Sequence, residues 1–145
     1  MLTRDGVRLA GFAFEDRLRD GARDAIADVV RDGLSVEVLS GDRDQAVRHL
    51  AGQLGVGHLA EVSPSGKVDH VADIEASGRK VLMEDGRGHD APALAAAHAS
   101  MAPASAADGG RNAADLVFLH ESPRAVPQAI KIAGDRAVRT RPKIK

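Results

Sequence analysis

The sequence contains no cysteine, and this absence excludes disulfide bonds and thiolate metal ligands. Soft metal ions such as Cu(I) favour cysteine sulfur, so we do not expect these residues to hold such an ion. A chain without disulfides suits a reducing compartment, and we therefore expect a cytoplasmic location.

The chain also has few aromatic residues and no long hydrophobic run. The aromatic residues are Phe12, Phe14 and Phe118. The core must therefore consist mainly of Ala, Val, Leu and Ile, which bury little area per side chain, and we expect modest stability. No apolar run approaches the ~20 residues of a spanning helix, and residues 1–11 do not resemble a signal peptide. We expect a soluble chain without direct membrane insertion.

The positive and negative charges of the chain are nearly balanced. The chain has 20 basic and 21 acidic side chains, which give a formal net charge of -1. This balance excludes a bulk electrostatic attraction to nucleic acid or to an anionic membrane. Residues 139–145 form one short basic segment, which we interpret as a solvated tail.

Helix and strand patterns alternate along most of the chain. Apolar periodicity and cap residues predict helices over residues 20–32, 42–54, 63–77 and 122–138. A further helix is predicted to start at Asp90. Short apolar runs predict strands over residues 7–14, 34–39, 58–62, 81–83, 99–103 and 115–119. Residues 104–110 are predicted to form a loop. This order predicts one α/β domain over residues 1–145, with three layers and helices on both faces of a mostly parallel sheet.

The most informative stretch is an acidic loop between the strand at 81–83 and the helix that starts at Asp90. The loop carries Glu84 and Asp85, and Asp90 closes it. Loops at the carboxyl ends of strands form the ligand crevice of an open α/β sheet, and carboxylates there suit Mg²⁺. Asp90 is also an acceptable helix N-cap, with Pro92 tolerated in the first turn.

Four segments, in order and at matching spacing, carry a family resemblance: LSGDR (39–43), SPSGKV (63–68), DAPALAAAHASMAPASAAD (90–108) and AADLVFL (113–119). Together they resemble the phosphorylation domain of heavy-metal P-type ATPases, in the haloacid dehalogenase superfamily. The likeness is to the copper-exporting branch that is linked to cytochrome oxidase maturation. It covers residues 12–139 and implies a Rossmann-like haloacid dehalogenase fold.

The resemblance also implies roles for individual residues. Ser40 matches the hydroxyl that contacts the phosphoryl group, and Lys67 matches the lysine that neutralises it. Gly41 and Asp42 belong to the same cofactor-binding motif as Ser40. Asp90 matches a magnesium ligand, and the second ligand falls on Asp85 or, in an ungapped alignment, on Gly86. Without the family, Ser40 is interpreted as a turn serine, Lys67 as an exposed lysine and Asp42 as a helix cap.

The main departure from the family is the missing nucleophile. Family members carry a phosphorylated aspartate in a DKTGT motif, and this sequence has none. In the family that motif and the nucleotide-binding domain lie upstream, so we expect both to be missing here, with no ATPase activity alone and weak or lost Mg²⁺ binding. Asp16 and Asp42 are the strand-end carboxylates left as substitutes, and Asp16 is also interpreted as a hinge residue. The strand at 7–14 offers one way to fill the place of the nucleophile strand.

Two alternatives remain open on the sequence alone. One is a regulatory pseudoenzyme that still holds Mg²⁺ or phosphate weakly, or docks on a nucleotide-binding domain or an intact transporter. The other is a small standalone phosphatase that uses Asp16. The six histidines show no close pairing of the metal-site kind. His89 lies beside Asp90 in the sequence, and we interpret it as a loop histidine.

Overall fold

The structure, a computed structural model, describes residues 2–10, 18–86, 90–119 and 122–139. Its helices are α1 (Ala22–Arg31), α2 (Asp44–Leu54), α3 (Pro64–Ala76), α4 (Ala91–Ala96), α5 (Asp108–Ala113) and α6 (Ala125–Arg139). Its strands are β1 (Leu2–Arg4), β2 (Val7–Ala10), β3 (Glu37–Leu39), β4 (Gly57–Leu59), β5 (Leu82–Glu84), β6 (Ala99–Pro103) and β7 (Leu116–Phe118). None of the helices in the described part of the chain combines the length and apolar character needed to cross a bilayer.

The strands after β2 are parallel and alternate with helices, which confirms the predicted α/β class. Strands β3 and β4 form one parallel pair, and β5, β6 and β7 form a second parallel sheet in that order. The parallel pairing agrees with the predicted mostly parallel sheet, and among the described residues it is divided into these two parts. Each of β3 and β5 pairs on one side only, so no described strand joins the two sheets.

The first two strands form a separate antiparallel hairpin. Asp5 and Gly6 have positive φ angles of 49° and 78° at its tip, the backbone of a two-residue hairpin turn. Within residues 7–10, β2 pairs with β1 and not with the parallel sheets. The suggestion that this segment replaces the nucleophile strand is therefore wrong for these residues, and residues 11–14 lie outside the described part.

Several predicted helix ends are confirmed. Ser63 caps α3, since its Oγ accepts a hydrogen bond from the Gly66 amide at 3.1 Å, and Pro64 is the first helical residue. Helix α2 ends at Gly55, whose φ of 69° is the left-handed conformation that favours glycine. Pro92 and Pro127 both lie in first turns, in α4 and α6 respectively.

Two local predictions are wrong. Asp42 does not cap α2, because the cap position belongs to Arg43 and no side chain makes the capping bond. The predicted loop at 104–110 instead runs into α5, which starts at Asp108 despite Gly109 and Gly110. Gly110 is buried in the packing of α5, and such tertiary packing overrides a low intrinsic helix propensity.

The core is built from small aliphatic side chains, as the composition predicts. Leu94 and Val71 are among the largest fully buried side chains. The buried hydrophobic residues are Ala25, Val29, Val47, Ala51, Val71, Ala93, Leu94, Met101, Ala102, Ala106 and Phe118. Two of them, Met101 and Ala102, lie on β6, the central strand of its sheet, and the amide of Asp85 after β5 bonds to Met101.

Candidate functional site

The candidate site lies where the parallel strands end and their helices begin. Ser40 directly follows β3, Asp85 directly follows β5, and Asp90 directly precedes α4. Lys67 is the fourth residue of α3. Ser40 and Asp85 thus lie at the carboxyl ends of strands in the two parallel sheets, and loops at such ends form the ligand crevice of α/β proteins.

Lys67 and Asp90 form an ion pair at this edge. Lys67 Nζ donates a hydrogen bond to Asp90 Oδ2 at 2.5 Å, and the two side chains are only 10% and 17% exposed. The interpretation of Lys67 as an exposed lysine is therefore wrong. Asp90 occupies the cap position of α4, but its side chain makes no capping bond. Its carboxylate binds Lys67 instead.

The side chain of Asp85 contacts the backbone of Asp90 and so adjoins this ion pair. Its Oδ2 accepts a hydrogen bond from the Asp90 amide at 2.9 Å, and its own amide donates to the Met101 carbonyl on β6 at 3.2 Å. The residue is buried. Asp85, one of the two positions to which the resemblance assigns the second magnesium ligand, thus lies beside Asp90.

Glu84 and Arg19 also belong to this region. Sequence reasoning counted Glu84 only among the acidic residues of the loop and gave Arg19 no role in the site. Arg19 Nη2 donates to the Gly86 carbonyl at 3.0 Å. Part of Glu84 stays exposed, yet dense surroundings desolvate its carboxyl and raise its pKa; Arg19 opposes that rise and Asp85 adds to it. The two adjacent acidic residues at the end of β5, Glu84 and Asp85, are the sequence signal that could have identified Glu84. No local pattern indicates Arg19.

Ser40 and Asp42 form a tight turn in the neighbouring loop. Ser40 Oγ accepts from the Asp42 amide at 3.1 Å and lies 3.3 Å from its carboxylate. Ser40 is also fixed by backbone bonds, from its amide to Leu59 and from the Val62 amide to its carbonyl. Because Ser63 follows Val62 and caps the helix of Lys67, these hydrogen bonds tie the two loops together.

Gly41 is required by the closeness of these loops. A Cβ at Gly41 would lie 3.2 Å from the Val62 carbonyl oxygen, which is tighter than ordinary van der Waals contact. Glycine therefore allows the turn at Ser40 to approach the segment before α3.

Asp85 and Asp90 are the side chains here that suit a divalent cation. No group of three or more metal-ligating residues occurs in the ranges that the structure describes. Mg²⁺ is usually held by one or two carboxylates, with water and substrate phosphate as further ligands. The donor set fits Mg²⁺ together with a phosphoryl ligand. Asp16 and His89 lie outside the described residues.

Comparisons with known proteins identify the family of the chain. A family model described as haloacid dehalogenase-like hydrolase matches residues 5–98. The nitrogen fixation protein FixI of Rhizobium leguminosarum bv. viciae is 47% identical over 134 residues, covering 92% of this chain and 18% of that protein. The copper-exporting P-type ATPase of Mycobacterium tuberculosis is 32% identical over 130 residues, covering 89% and 17%.

A solved structure gives the same picture. The crystal structure of a zinc-transporting PIB-type ATPase superposes with a TM-score of 0.82 at 30% identity, over 86% of this chain and 20% of that one. The chain thus spans at most about a fifth of each of these three proteins. It belongs to the haloacid dehalogenase-like hydrolase family, and within that family it resembles the phosphorylation domain of heavy-metal P-type ATPases.

Proposed function

We propose that residues 1–145 act as one phosphorylation domain of a heavy-metal P-type ATPase of the copper type. In this proposal the domain binds Mg²⁺ and a phosphoryl group, while the attacking carboxylate comes from outside these residues. The observation that carries the proposal is the buried ion pair between Lys67 and Asp90, with Asp85 bonded to the Asp90 backbone. Removing charges from water costs free energy, so a buried ion pair contributes little to the stability of the fold. A role in phosphoryl chemistry is a better reason for these charges to lie together.

Each residue has a task in this chemistry. The Lys67 ammonium neutralises charge that develops on the phosphoryl oxygens, and Asp90 holds that ammonium in place. The Ser40 hydroxyl donates to a phosphoryl oxygen, with Gly41 and Asp42 fixing its turn. Asp85 and Asp90 would hold Mg²⁺, which when bound shields the negative charge of the phosphoryl group. None of these groups is an attacking carboxylate.

The division of the sheet supports a missing element from a larger protein. Strands β3 and β5 each have one side to which no described strand pairs. The loops after both strands contribute to the site, through Ser40 and Asp85. In this proposal a further parallel strand pairs with these free sides and carries the attacking carboxylate. The relatives, of which this chain covers less than a fifth, are long enough to supply it.

The test is a titration of the full chain with Mg²⁺ and inorganic phosphate, which needs no attacking carboxylate to bind, followed by amide shifts in NMR spectra. We expect shifts at Ser40, Lys67 and Asp90 that Asp85→Asn abolishes. The matched control is Asp69→Asn, at an exposed aspartate on the same helix as Lys67, which we expect to respond like the unmodified chain. A spectrum that does not change at any of the three residues would contradict the proposal.

A regulatory module that docks on a transporter or a nucleotide-binding domain is the second candidate. The observation that favours it is the apolar hairpin, where Leu2, Val7 and Leu9 are all exposed. Such a module does not need the phosphoryl site. Lys67→Met would leave docking on a purified heavy-metal ATPase unchanged if this second function is correct, and Leu9→Asp would abolish it.

A further inference from the structure

Arg19 makes a long-range contact with the acidic loop. It precedes α1, and its guanidinium donates a 3.0 Å hydrogen bond to the carbonyl of Gly86, 67 positions later in the chain. Gly86 directly follows the buried Asp85. A Cβ at Gly86 would lie 2.8 Å from Arg19 Nη2 and 3.1 Å from Cζ, so the guanidinium packs closely against this glycine.

The charge of Arg19 also acts on this loop. The guanidinium lies near enough to Glu84 for the two charges to attract, and Asp85 places a second negative charge beside Glu84. Two neighbouring carboxylates repel each other, and a cation fixed beside them reduces this repulsion. Arg19 therefore both bonds the turn and offsets its charge.

The segment that carries Arg19 is anchored at its other side by the start of α6. Ser122 Oγ lies within hydrogen-bond distance of the Asp20 carbonyl, at 3.5 Å. Gly21 packs against the Arg124 side chain, and Arg124 pairs with Asp24 on α1. Arg19 thus extends from an anchored segment, and the loop after β5 is held from outside its own sheet.

We propose that Arg19 is a positioning residue that fixes the turn at Gly86 and thereby aims the Asp85 carboxylate at the cation site. The cation site itself rests on the proposed function. Arg19 does not touch the cation or the phosphoryl group in this account. It acts through the backbone of Gly86, as outer residues of metal sites orient the ligands.

The first experiment compares Arg19→Ala, Arg19→Lys and Arg23→Ala in the full chain. Arg23 is an exposed arginine on α1 and serves as the matched control. In calorimetric titrations with Mg²⁺ in the presence of inorganic phosphate, we expect Arg19→Ala to weaken Mg²⁺ binding about tenfold. Arg19→Lys keeps a charged donor and is expected to recover part of that loss, whereas Arg23→Ala binds normally. Unchanged affinity in Arg19→Ala would overturn the proposal.

A double-mutant cycle separates positioning from general destabilisation. Gly86→Ala places a methyl group against the guanidinium and is expected to displace Arg19, which again weakens Mg²⁺ binding. The double variant Arg19→Ala with Gly86→Ala is expected to bind no more weakly than Arg19→Ala alone, because the collision is gone. Losses that simply add would contradict a shared mechanism.

NMR spectra recorded without Mg²⁺ or phosphate test the role of Arg19 even if the proposed function is wrong. Arg19→Ala is expected to shift the amide signals of Asp85, Gly86 and Asp90, and to leave those of Ser100 and Asp115 in place. If the unmodified chain fails to bind Mg²⁺, the proposed function is wrong, and these shifts still decide whether Arg19 positions the turn. Signals at Asp85 and Gly86 that stay fixed would refute the role of Arg19.

Discussion

Lys67 and Asp90 lie 23 positions apart in the sequence, yet Lys67 Nζ and Asp90 Oδ2 are joined at 2.5 Å with little solvent access. The contact ties the first turn of α3 to the residue before α4. Each charge depends on the other, because an unpaired buried charge is strongly destabilising.

Removal of the Lys67 charge is expected to destabilise the fold. Lys67→Met leaves the Asp90 carboxylate unpaired and should lower the free energy of unfolding by about 3 kcal/mol. Adding Asp90→Asn removes the orphaned charge and should recover part of that loss. Urea unfolding measures both values, with the exposed Lys131→Met as control. A loss below about 1 kcal/mol, the range of an exposed pair, would show that the ion pair is not buried in solution.

Glu84 gives a prediction with a definite pH dependence. Its pKa is raised in the folded chain, so folding disfavours the ionised carboxyl above that pKa and carries no such penalty below the ordinary glutamate pKa. Glu84→Gln should therefore raise the melting temperature at neutral pH. The gain should shrink as the pH falls through the folded-state pKa.

The measurement for Glu84 is thermal unfolding in a chelator, so that no cation binds the acidic loop. Glu61→Gln, at an exposed glutamate, is the control and is expected to show no such gain. A Glu84→Gln variant that melts below the unmodified chain at neutral pH would contradict the raised pKa.

The Ser63 cap links stability with the site. Ser63→Ala removes the hydroxyl that accepts from Gly66 and is expected to lower the free energy of unfolding by about 1 kcal/mol. Because Lys67 lies in the first turn of the same helix, its amide signal should shift as well. Ser35→Ala, at an exposed serine outside the helices, is the control. An unchanged unfolding curve for Ser63→Ala would argue against the cap.

Alanine at two glycines should act in opposite directions. Gly41→Ala adds a methyl group 3.2 Å from the Val62 carbonyl and is expected to destabilise the chain and move the Ser40 turn. Gly52→Ala meets nothing within 4 Å and lies inside α2, so it should stabilise by about 0.5–1 kcal/mol. Equal changes in the free energy of unfolding for the two variants would contradict this difference between the packed loop at Gly41 and the open helix position at Gly52.

Local sequence patterns predicted the elements well where one signal dominated. The strand over residues 99–103 and the Ser63 cap were identified because apolar runs and a Ser-Pro pair act over a few residues. The cap at Asp42 was predicted wrongly, since Ser40 engages that residue instead. Helix α5 was missed because its two glycines have low helix propensity, and packing compensates for it.

The site was only partly predictable from the sequence. The resemblance selected Lys67 and Asp90, which the structure brings together, and Asp85, which it places beside them. It gave no sign of Arg19, because a hydrogen bond across 67 positions leaves no periodic pattern. Whether the sheet stays joined without the nucleophile strand could not be predicted either, since strand order depends on pairing and not on the composition of each strand.

The most direct measurement for the central claim is incubation of the full chain with labelled ATP and Mg²⁺. The account predicts no acid-stable phosphoprotein, because the site lacks its own attacking carboxylate. It is contradicted by a label that hydroxylamine removes and that Asp16→Asn or Asp42→Asn abolishes.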